Sequence, residues 1–431
     1  MRICLIGSGY LGLPLGSGFA SRGHQVTCVD IDEEKVEKIN EGVCPIFEEG
    51  LPELLEEQVD EGNLEATTDT RSAVRDSDMT FLAVGTPMRD DGSINLDYIK
   101  QAARDAAEGL EGKDDYHVFV VKSTVVPGTT RDEIIPILED ESGLEAGEDF
   151  GVCMNPEFLR EGTALNDFLE PDRIVIGELD ESSGERLEEA YKEWDAPVMR
   201  TSLEAAELIK YASNSLLATK ISFINEVGNL CKELGIDVYE VADGVGMDHR
   251  VKRDFLNSGD GFGGSCFPKD VRALISFMEE KGVEPRLLQS TIDVNVDQKT
   301  RLVDLLKDKM DVKGRDVAVL GLSFKPGTDD VRKSPAIPII QELKDSGADV
   351  RAYDPEAMEN MREKHHPDIE YCETRQEALE GADAALIVTD WPEFDEITRE
   401  ELKQMDNRLV LEGMRPDYDL PEDSREGVTW P

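Results

Sequence analysis

The sequence predicts an α/β fold built as two doubly wound domains with parallel sheets, joined by a long central helix. Three features of the pattern carry that expectation. Short apolar runs alternate with helix-like stretches over roughly the first 200 residues, one long helical stretch follows from Thr201, and the alternation resumes beyond about residue 313. Strands interleaved with helices are the signature of a sheet whose crossovers cover both faces.

The first strand candidate, RICLIG, runs into Gly7-Ser8-Gly9-Tyr10-Leu11-Gly12 and then a helix that ends near Gly23. QVTCVD, MTFLAVG, HVFVVKS, FGVCMN and RIVIGE supply the further strands of this first domain, 1–200. From Thr201 the stretch TSLEAAELIKYASNSLLATKISFINEVGNLCKELG reads as one helix, opened by a Thr-x-x-Glu capping box at Thr201 and Glu204 and closed by Gly235. In such a box the two side chains satisfy backbone N–H groups that the first turn leaves unpaired. Residues 201–300 are expected to form a central helical region that carries the cysteine loop described below. DVAVLGLSF, ADVRAYD, AALIVTD and RLVLEG then build a second, smaller α/β domain, 301–431. LIGSGY and VLGLSF are both strand-then-glycine turns, a weak internal repeat in which only the first copy has all three glycines.

A chain of 431 residues, 39% of them apolar, has the material for two or three cores. Its formal net charge of −48 is spread along the chain instead of confined to a tail. That balance argues against nucleic-acid binding and points to a halophilic source, because near 1 M salt the screening length falls to about 3 Å and self-repulsion is quenched. No apolar run reaches the roughly 18 residues of a membrane span, and MRICLIGSGY passes into a strand without a secretory leader. A soluble, cytoplasmic protein with no membrane partner is the expectation. Seven cysteines, with no pair at metal-ligand spacing, fit a reducing compartment and argue against zinc.

Two segments carry the chemistry. The glycine loop after the first strand lets the backbone approach a pyrophosphate at a helix N-terminus. Asp30, which closes the second strand, would bind a ribose 2′-hydroxyl and repel the 2′-phosphate of NADP. NAD is therefore the expected cofactor. Val84-Gly85-Thr86-Pro87 and Lys122-Ser123-Thr124 end strands on the same sheet edge, where they would line the nicotinamide side or serve as ordinary turns. In the second segment, Gly261-Phe262-Gly263-Gly264-Ser265-Cys266-Phe267-Pro268-Lys269-Asp270, a glycine-rich loop runs into a helix with Pro268 in its first turn. Cys266 then lies at a helix N-terminus with Lys269 close by, and both features favour the thiolate. The alternative is a small buried cysteine behind a loop. Lys210 and Asn214, four residues apart, share one face of the long helix. Asn155-Pro156-Glu157-Phe158-Leu159-Arg160-Glu161-Gly162 offers two carboxylates as candidate general bases, against simple surface charge in a chain with 94 acids.

Taken in order, GSGYLG, VGTP, KSTVVPGTT, NPEFLREGTA, KYASNSLLATKISFINE, GFGGSCFPKD and LGLSFKPGTDDVRKSP resemble the motifs of the UDP-glucose/GDP-mannose dehydrogenases over essentially the whole chain. The resemblance implies an N-terminal Rossmann domain for NAD, a central helix that builds a homodimer, and a C-terminal Rossmann-like domain for the nucleotide sugar. It implies that Gly7, Ser8, Gly9, Tyr10, Leu11, Gly12 and Asp30 bind NAD together with Lys35, Thr86, Thr124, Glu161 and Arg332. The sugar nucleotide would be held by Glu157, Phe158, Leu159, Lys210, Asn214, Arg250, the loop Asn257 to Gly261, Lys325 and Arg415. Cys266 would be the nucleophile, Asp270 and Thr124 would position a water that helps deprotonate the alcohol, Lys210 and Asn214 would stabilise charge developing on oxygen, and Glu157 would assist thioester hydrolysis. The cysteine loop looks most like the UDP-glucose branch. The implied activity is four-electron oxidation of UDP-glucose to UDP-glucuronate for surface glycans or protein N-glycosylation, with GDP-mannose or another nucleotide sugar as the alternative. The chain departs from the family pattern at Phe255, where tyrosine is frequent, at Asn257-Ser258-Gly259-Asp260, where Pro-Gly is usual, and at Glu412, where aspartate is typical. Gly321-Leu322-Ser323-Phe324 lacks the glycine triplet, which argues against a second dinucleotide site, while Lys325 and Arg332 suit a pyrophosphate.

Overall fold

The computed structural model describes residues 1–113, 115–415 and 425–431, and the chain divides into two compact units, Met1–Ser213 and Asn214–Pro431. The division falls within the long helix Leu203–Leu234.

The first unit is built on β1 (Arg2–Ile6), β2 (Gln25–Val29), β3 (Leu64–Thr67), β4 (Met79–Leu82), β5 (His117–Val121), β6 (Phe150–Met154), β7 (Ile174–Glu178) and β8 (Val198–Ser202), in the order β3-β2-β1-β4-β5-β6-β7-β8. Every residue of β4, β5 and β6 is buried, as strands covered on both faces require. Alternate residues of β1 enter different cores: Ile3 and Leu5 join Phe19, Phe81 and Trp194, whereas Cys4 and Ile6 join Phe119 and Phe150. β1 lies between β2 and β4, so the loops after β1 and β4 flank the point where strand order reverses, the place at which such sheets bind ligands.

The sheet is not wholly parallel. β7 runs antiparallel to β6, pairing Cys153 with Glu178 and Met154 with Gly177, and β8 then runs parallel to β7. An antiparallel neighbour is entered from the end at which the previous strand stops. The connection 155–173, which contains only the short helix Ala164–Leu169, therefore stays at the C-terminal end of β6 and leaves Asn155 to Gly162 on the ligand edge.

In the second unit, the helices Val238–Gly246, Phe267–Glu280, Arg286–Gln298 and Arg301–Lys309 precede a second sheet. Its strands are β9 (Asp316–Leu320), β10 (Asp349–Tyr353), β11 (Glu370–Tyr371), β12 (Ala384–Ile387), β13 (Val410–Glu412) and β14 (Arg425–Gly427), in the order β11-β10-β9-β12-β13-β14, all parallel. The repeat glimpsed in the sequence is reproduced bond for bond at the first turn. Gly7 N donates to Val29 O at 2.8 Å and Gly321 N to Tyr353 O at 2.9 Å, with φ of +100° and +92°, a region open to glycine.

The expected capping box at Thr201 is replaced by a different cap. Val198–Ser202 is taken up as a strand, the helix begins at Leu203, and Ser202 Oγ accepts from Ala205 N at 3.2 Å, while Glu204 pairs with Arg131. At the far end the helix stops at Leu234, followed by Gly235 at φ +64°. Among the described residues no helix is long and apolar enough to cross a membrane, and none of the seven cysteines, all of them described, is in a disulfide.

Candidate active site

The loop after β1 is shaped by what its glycines lack. A Cβ at Gly7 would lie 2.9 Å from Ala83 O, and one at Gly12 would lie 1.7 Å from Gly7 O, so backbone packing demands glycine at both. At Gly9 a Cβ would meet nothing within 4 Å. Open space therefore lies over the backbone just before the helix Gly12–Ser21, a cradle that fits a pyrophosphate. Asp30 Oδ2 accepts from Ser8 N at 3.0 Å, from Ser8 Oγ at 2.7 Å and from Lys35 Nζ at 3.0 Å. Burial pushes this carboxyl up, but the hydrogen bonds from Ser8 and Lys35 outweigh it and hold Asp30 below the usual carboxylate range. An anion at the end of β2 is what the ribose hydroxyls of NAD need and what a 2′-phosphate would avoid. Thr86, buried after β4, donates Oγ1 to Thr124 O at 2.8 Å and ties together the loops after β4 and β5. Tyr10 is exposed, and Leu11 packs on the core beside the loop. These residues fit NAD.

A second cluster in the first unit gathers Glu157, Lys210 and Phe158. Lys210 Nζ lies 2.7 Å from Glu157 Oε1, with side chains only 3% and 10% exposed. Glu157 Oε2 also accepts from Leu159 N at 2.6 Å. Burial raises the Glu157 carboxyl, and the charge and hydrogen bond of Lys210, the hydrogen bond from Leu159 N and the charge of Lys122 together outweigh it, leaving it below the usual value. Lys210 sits over the Phe158 ring at 5.7 Å and Arg173 over it at 3.8 Å. The four-residue spacing of Glu157 and Glu161 has no helical meaning here, because 155–160 is extended loop. Glu157 is drawn into the buried ion pair, and Glu161 is half-buried in the turn before Ala164–Leu169.

In the second unit, Cys266 occupies the N-cap position of Phe267–Glu280, with Pro268 in the first turn as expected. Its Sγ lies 3.5 Å from Ser265 Oγ. Lys269 donates to Asp270 Oδ1 at 2.6 Å, and Asn214 Nδ2 donates to Asp270 Oδ2 at 2.6 Å. A buried carboxylate thus holds a cation and an amide together next to the cysteine-bearing turn. The Lys210 and Asn214 that share a helix face in the sequence are both buried, each bound to its own carboxylate.

The sequence did not reveal the clamp on the cysteine loop. Asn225 Oδ1 accepts from Ser258 Oγ at 2.9 Å and Gly259 N at 2.8 Å, Asn295 pairs with Phe262 N and O at 2.6 and 3.1 Å, and Gln298 Nε2 donates to Gly259 O at 2.7 Å. The available signal was helical spacing: Asn225 lies three turns beyond Asn214, and Asn295 and Gln298 share one face. A cavity of about 260 Å³ opens against this loop, lined by Ile221, Asn225, Phe255, Asn257, Gly259, Gly261 and Met414. It brings the expected sugar-nucleotide residues Asn257 and Gly261 to one surface.

The remaining expected cations lie in the second unit in varied settings. Arg250 is well exposed and bound to Asp248 at 2.5 Å, Arg332 is half-exposed and bound to Asp330 at 2.7 Å, Lys325 Nζ lies 5.6 Å from the centre of the Phe324 ring, and Arg415 donates to Asp237 at 2.8 Å beneath the Tyr239 ring. Asp354 stands where Asp30 stands in the first unit, but it is fully buried. Leu322 N, Ser323 N and Trp391 Nε1 bond to its Oδ2, and Glu356 N and Ala357 N to its Oδ1. A buried carboxylate whose two oxygens are taken up by the loops after β9, β10 and β12 does not present itself to a ribose, consistent with the missing glycines.

Comparison with known proteins matches each of these parts. Residues 1–195 match the NAD binding domain of the UDP-glucose/GDP-mannose dehydrogenase family, 204–297 its central domain, and 318–415 its UDP binding domain. The UDP-glucose 6-dehydrogenase AglM of Haloferax volcanii is 50% identical over 420 residues, covering 96% of this chain and 97% of that protein. The GDP-mannose 6-dehydrogenase of Pseudomonas aeruginosa is 42% identical over 395 residues, covering 91% and 88%. A solved UDP-glucose dehydrogenase from the hyperthermophilic archaeon Pyrobaculum islandicum superposes with a TM-score of 0.93 at 41% identity, over 100% of this chain and 98% of that one. With a cofactor cradle in the first unit, a cysteine loop in the second and full-length relatives on both counts, the chain belongs to the UDP-glucose/GDP-mannose dehydrogenase family of NAD-dependent oxidoreductases.

Proposed function

We propose that this chain oxidises C6 of UDP-glucose to the carboxylate of UDP-glucuronate through a covalent adduct on Cys266. The observation that carries the reading is the cysteine at the head of a helix, in a loop held by three buried carboxamides beside the cavity lined by Asn257 and Gly261. GDP-mannose is the second reading; the higher identity to a protein named for UDP-glucose favours the first.

The proposed roles follow from the chemistry. Gly7 to Gly12, Asp30, Lys35, Thr86, Thr124 and Glu161 hold the cofactor, and Arg332 keeps the cofactor role of the family pattern. Bound NAD would supply the hydride acceptor for each of two oxidations. Phe158, Leu159, Arg250, the loop Asn257 to Gly261, Lys325 and Arg415 hold the nucleotide sugar. Asp270 and Thr124 position a water that takes the proton of the C6 hydroxyl. Cys266 Sγ then bonds to the aldehyde carbon, and the oxygen of the resulting thiohemiacetal is stabilised by Lys210 and Asn214. Its oxidation leaves a thioester. Glu157 takes a proton from the attacking water, the C–S bond breaks, and the cysteine leaves as thiolate.

Functional segments are assigned as 1–200 for NAD, 201–300 for dimerisation and the cysteine loop, and 301–431 for the UDP-sugar. A homodimer is supported by Leu216, Phe223 and Leu230, which repeat every seven residues along the long helix and stand 64%, 52% and 60% exposed. The acidic composition supports a halophilic enzyme; the cytoplasm is the setting proposed for it, with its uronic acid feeding surface glycans or protein N-glycosylation. The deciding experiment is the NADH yield per sugar consumed, at molar KCl, over a panel of nucleotide sugars. Two NADH from UDP-glucose is the expected result; two from GDP-mannose alone would transfer the reading to that substrate, and one or none would end the covalent route.

A further inference from the structure

We propose that Lys122 is a positioning residue for this reaction: a second buried cation, held by Asn155 and Tyr191 beside the Glu157–Lys210 pair, whose charge keeps Glu157 ionised and so sets the acid limit of thioester hydrolysis. The inference rests on Glu157 assisting that hydrolysis, and it assigns a function to a lysine that the mechanism above leaves unused.

Lys122 is 4% exposed, yet its hydrogen bonds go to neutral groups, 2.8 Å to Asn155 Oδ1 and 3.4 Å to Tyr191 OH. A buried ammonium without a directly bonded carboxylate is costly, and if packing were the only requirement an apolar side chain of similar length would serve better. The environment is built to hold it. Asn155 Nδ2 donates to Val175 O at 2.7 Å, which fixes the amide so that Oδ1 faces the lysine and also accepts from Tyr191 OH at 2.6 Å. Burial raises the Tyr191 hydroxyl, so it keeps its proton as donor. Lys122 follows β5 and Asn155 follows β6, strands that pair through Val121 and Met154. Sheet register therefore places this amine beside the segment that carries Glu157, and the long helix brings in Lys210.

Among the described residues, the amines of Lys122 and Lys210 act on the Glu157 carboxylate, and Arg173 stacks on the Phe158 ring that Lys210 also meets. Burial drives the Lys122 amine down to about 7, with Glu157 pulling it up and Lys210 pushing it further down. Below that pH Lys122 carries its charge, and this is the range in which Glu157 would gain a proton. Both lysines hold Glu157 low against its burial, Lys210 more strongly. Removing the Lys122 charge therefore lets Glu157 protonate at higher pH.

The test is the kcat–pH profile of the full chain at molar KCl with saturating NAD and UDP-glucose. Lys122→Met, and Lys122→Gln, which can still donate to Asn155, should both move the acid limb upward by about one unit, while the affinity for NAD stays the same. Lys122→Arg, which keeps a charge, should return the limb toward the wild-type position, and Glu157→Gln should abolish it. A uniform fall in kcat with an unmoved limb in whichever neutral variant folds would reduce Lys122 to a structural role and overturn the proposal, as would a limb that survives Glu157→Gln. Wild-type yield separates the two levels. Two NADH per UDP-glucose with an unmoved limb refutes only Lys122, whereas one NADH refutes the reading on which it rests.

Discussion

Cys266 and Glu157 divide the proposed chemistry between a nucleophile at a helix start and a carboxylate in a buried ion pair, and each makes a separable prediction. Cys266→Ser should stop turnover at a slow covalent stage, visible by mass spectrometry as the sugar retained on the protein; undiminished turnover would remove the thiol from the mechanism. Glu157→Gln deletes the carboxylate that Lys210 meets at 2.7 Å and should cost roughly 3–5 kcal/mol at neutral pH, because an ammonium remains buried without it. The sign with pH follows from the depressed Glu157 carboxyl. Its contribution is fully present above the ordinary carboxylate pKa and is lost as pH falls through the lower folded value. Denaturant titrations of variant and wild type should therefore converge in acid, and a gap that stays constant into acid would show that the ion pair is not its source. Residue identity was legible at both positions, but the partners were not. Lys269 pairs with Asp270, and spacing along the chain cannot say which nearby carboxylate a flexible amine will choose.

The strand–turn–helix at Gly7 to Gly12 separates packing from ligand approach. Gly12→Ala would place a methyl 1.7 Å from Gly7 O, so it should lower the melting temperature and cost about 1–3 kcal/mol. Gly9→Ala meets nothing within 4 Å, so it should leave the melting temperature unchanged while weakening NAD binding; calorimetry and NAD titration on the two variants check the contrast, and equal losses of stability would refute it. The strands left unannounced by the apolar pattern, β3, β8, β11 and β14, are the four edges of the two sheets. Their sequences LEAT, VMRTS, EY and REG are short or polar because an edge is covered on one side only. The misplaced helix cap has the same origin: Thr201 and Ser202 belong to edge strand β8, and pairing with β7 claims the residues that local propensity would give to the helix.

For the whole molecule, a net charge of −48 spread along the chain predicts self-repulsion that salt relieves. The melting temperature should rise steeply between about 0.1 and 2 M KCl as the screening length falls from about 10 Å toward 3 Å and below. A salt-independent melting curve would remove the halophilic reading. Leu216→Asp with Phe223→Asp should convert the proposed dimer to a monomer in light scattering at molar salt, since an apolar stripe repeating every seven residues loses its reason to be covered; an unchanged mass would remove this face as the interface.

Taken alone, the sequence determined the doubly wound architecture, the glycine loop with Asp30, the helix end at Gly235 and Cys266 before a proline-started helix. These are local features, written in strand period, backbone dihedral demand and cap chemistry over a few residues. Tertiary structure alone decided the reversal of β7 that holds Asn155 to Gly162 on the ligand edge, the three amides on the cysteine loop, the spent carboxylate of Asp354, and the gathering of Lys122 beside Glu157 and Lys210. Each depends on which strand lies next to which and on desolvation by residues distant in sequence, and no short window of the chain contains that information.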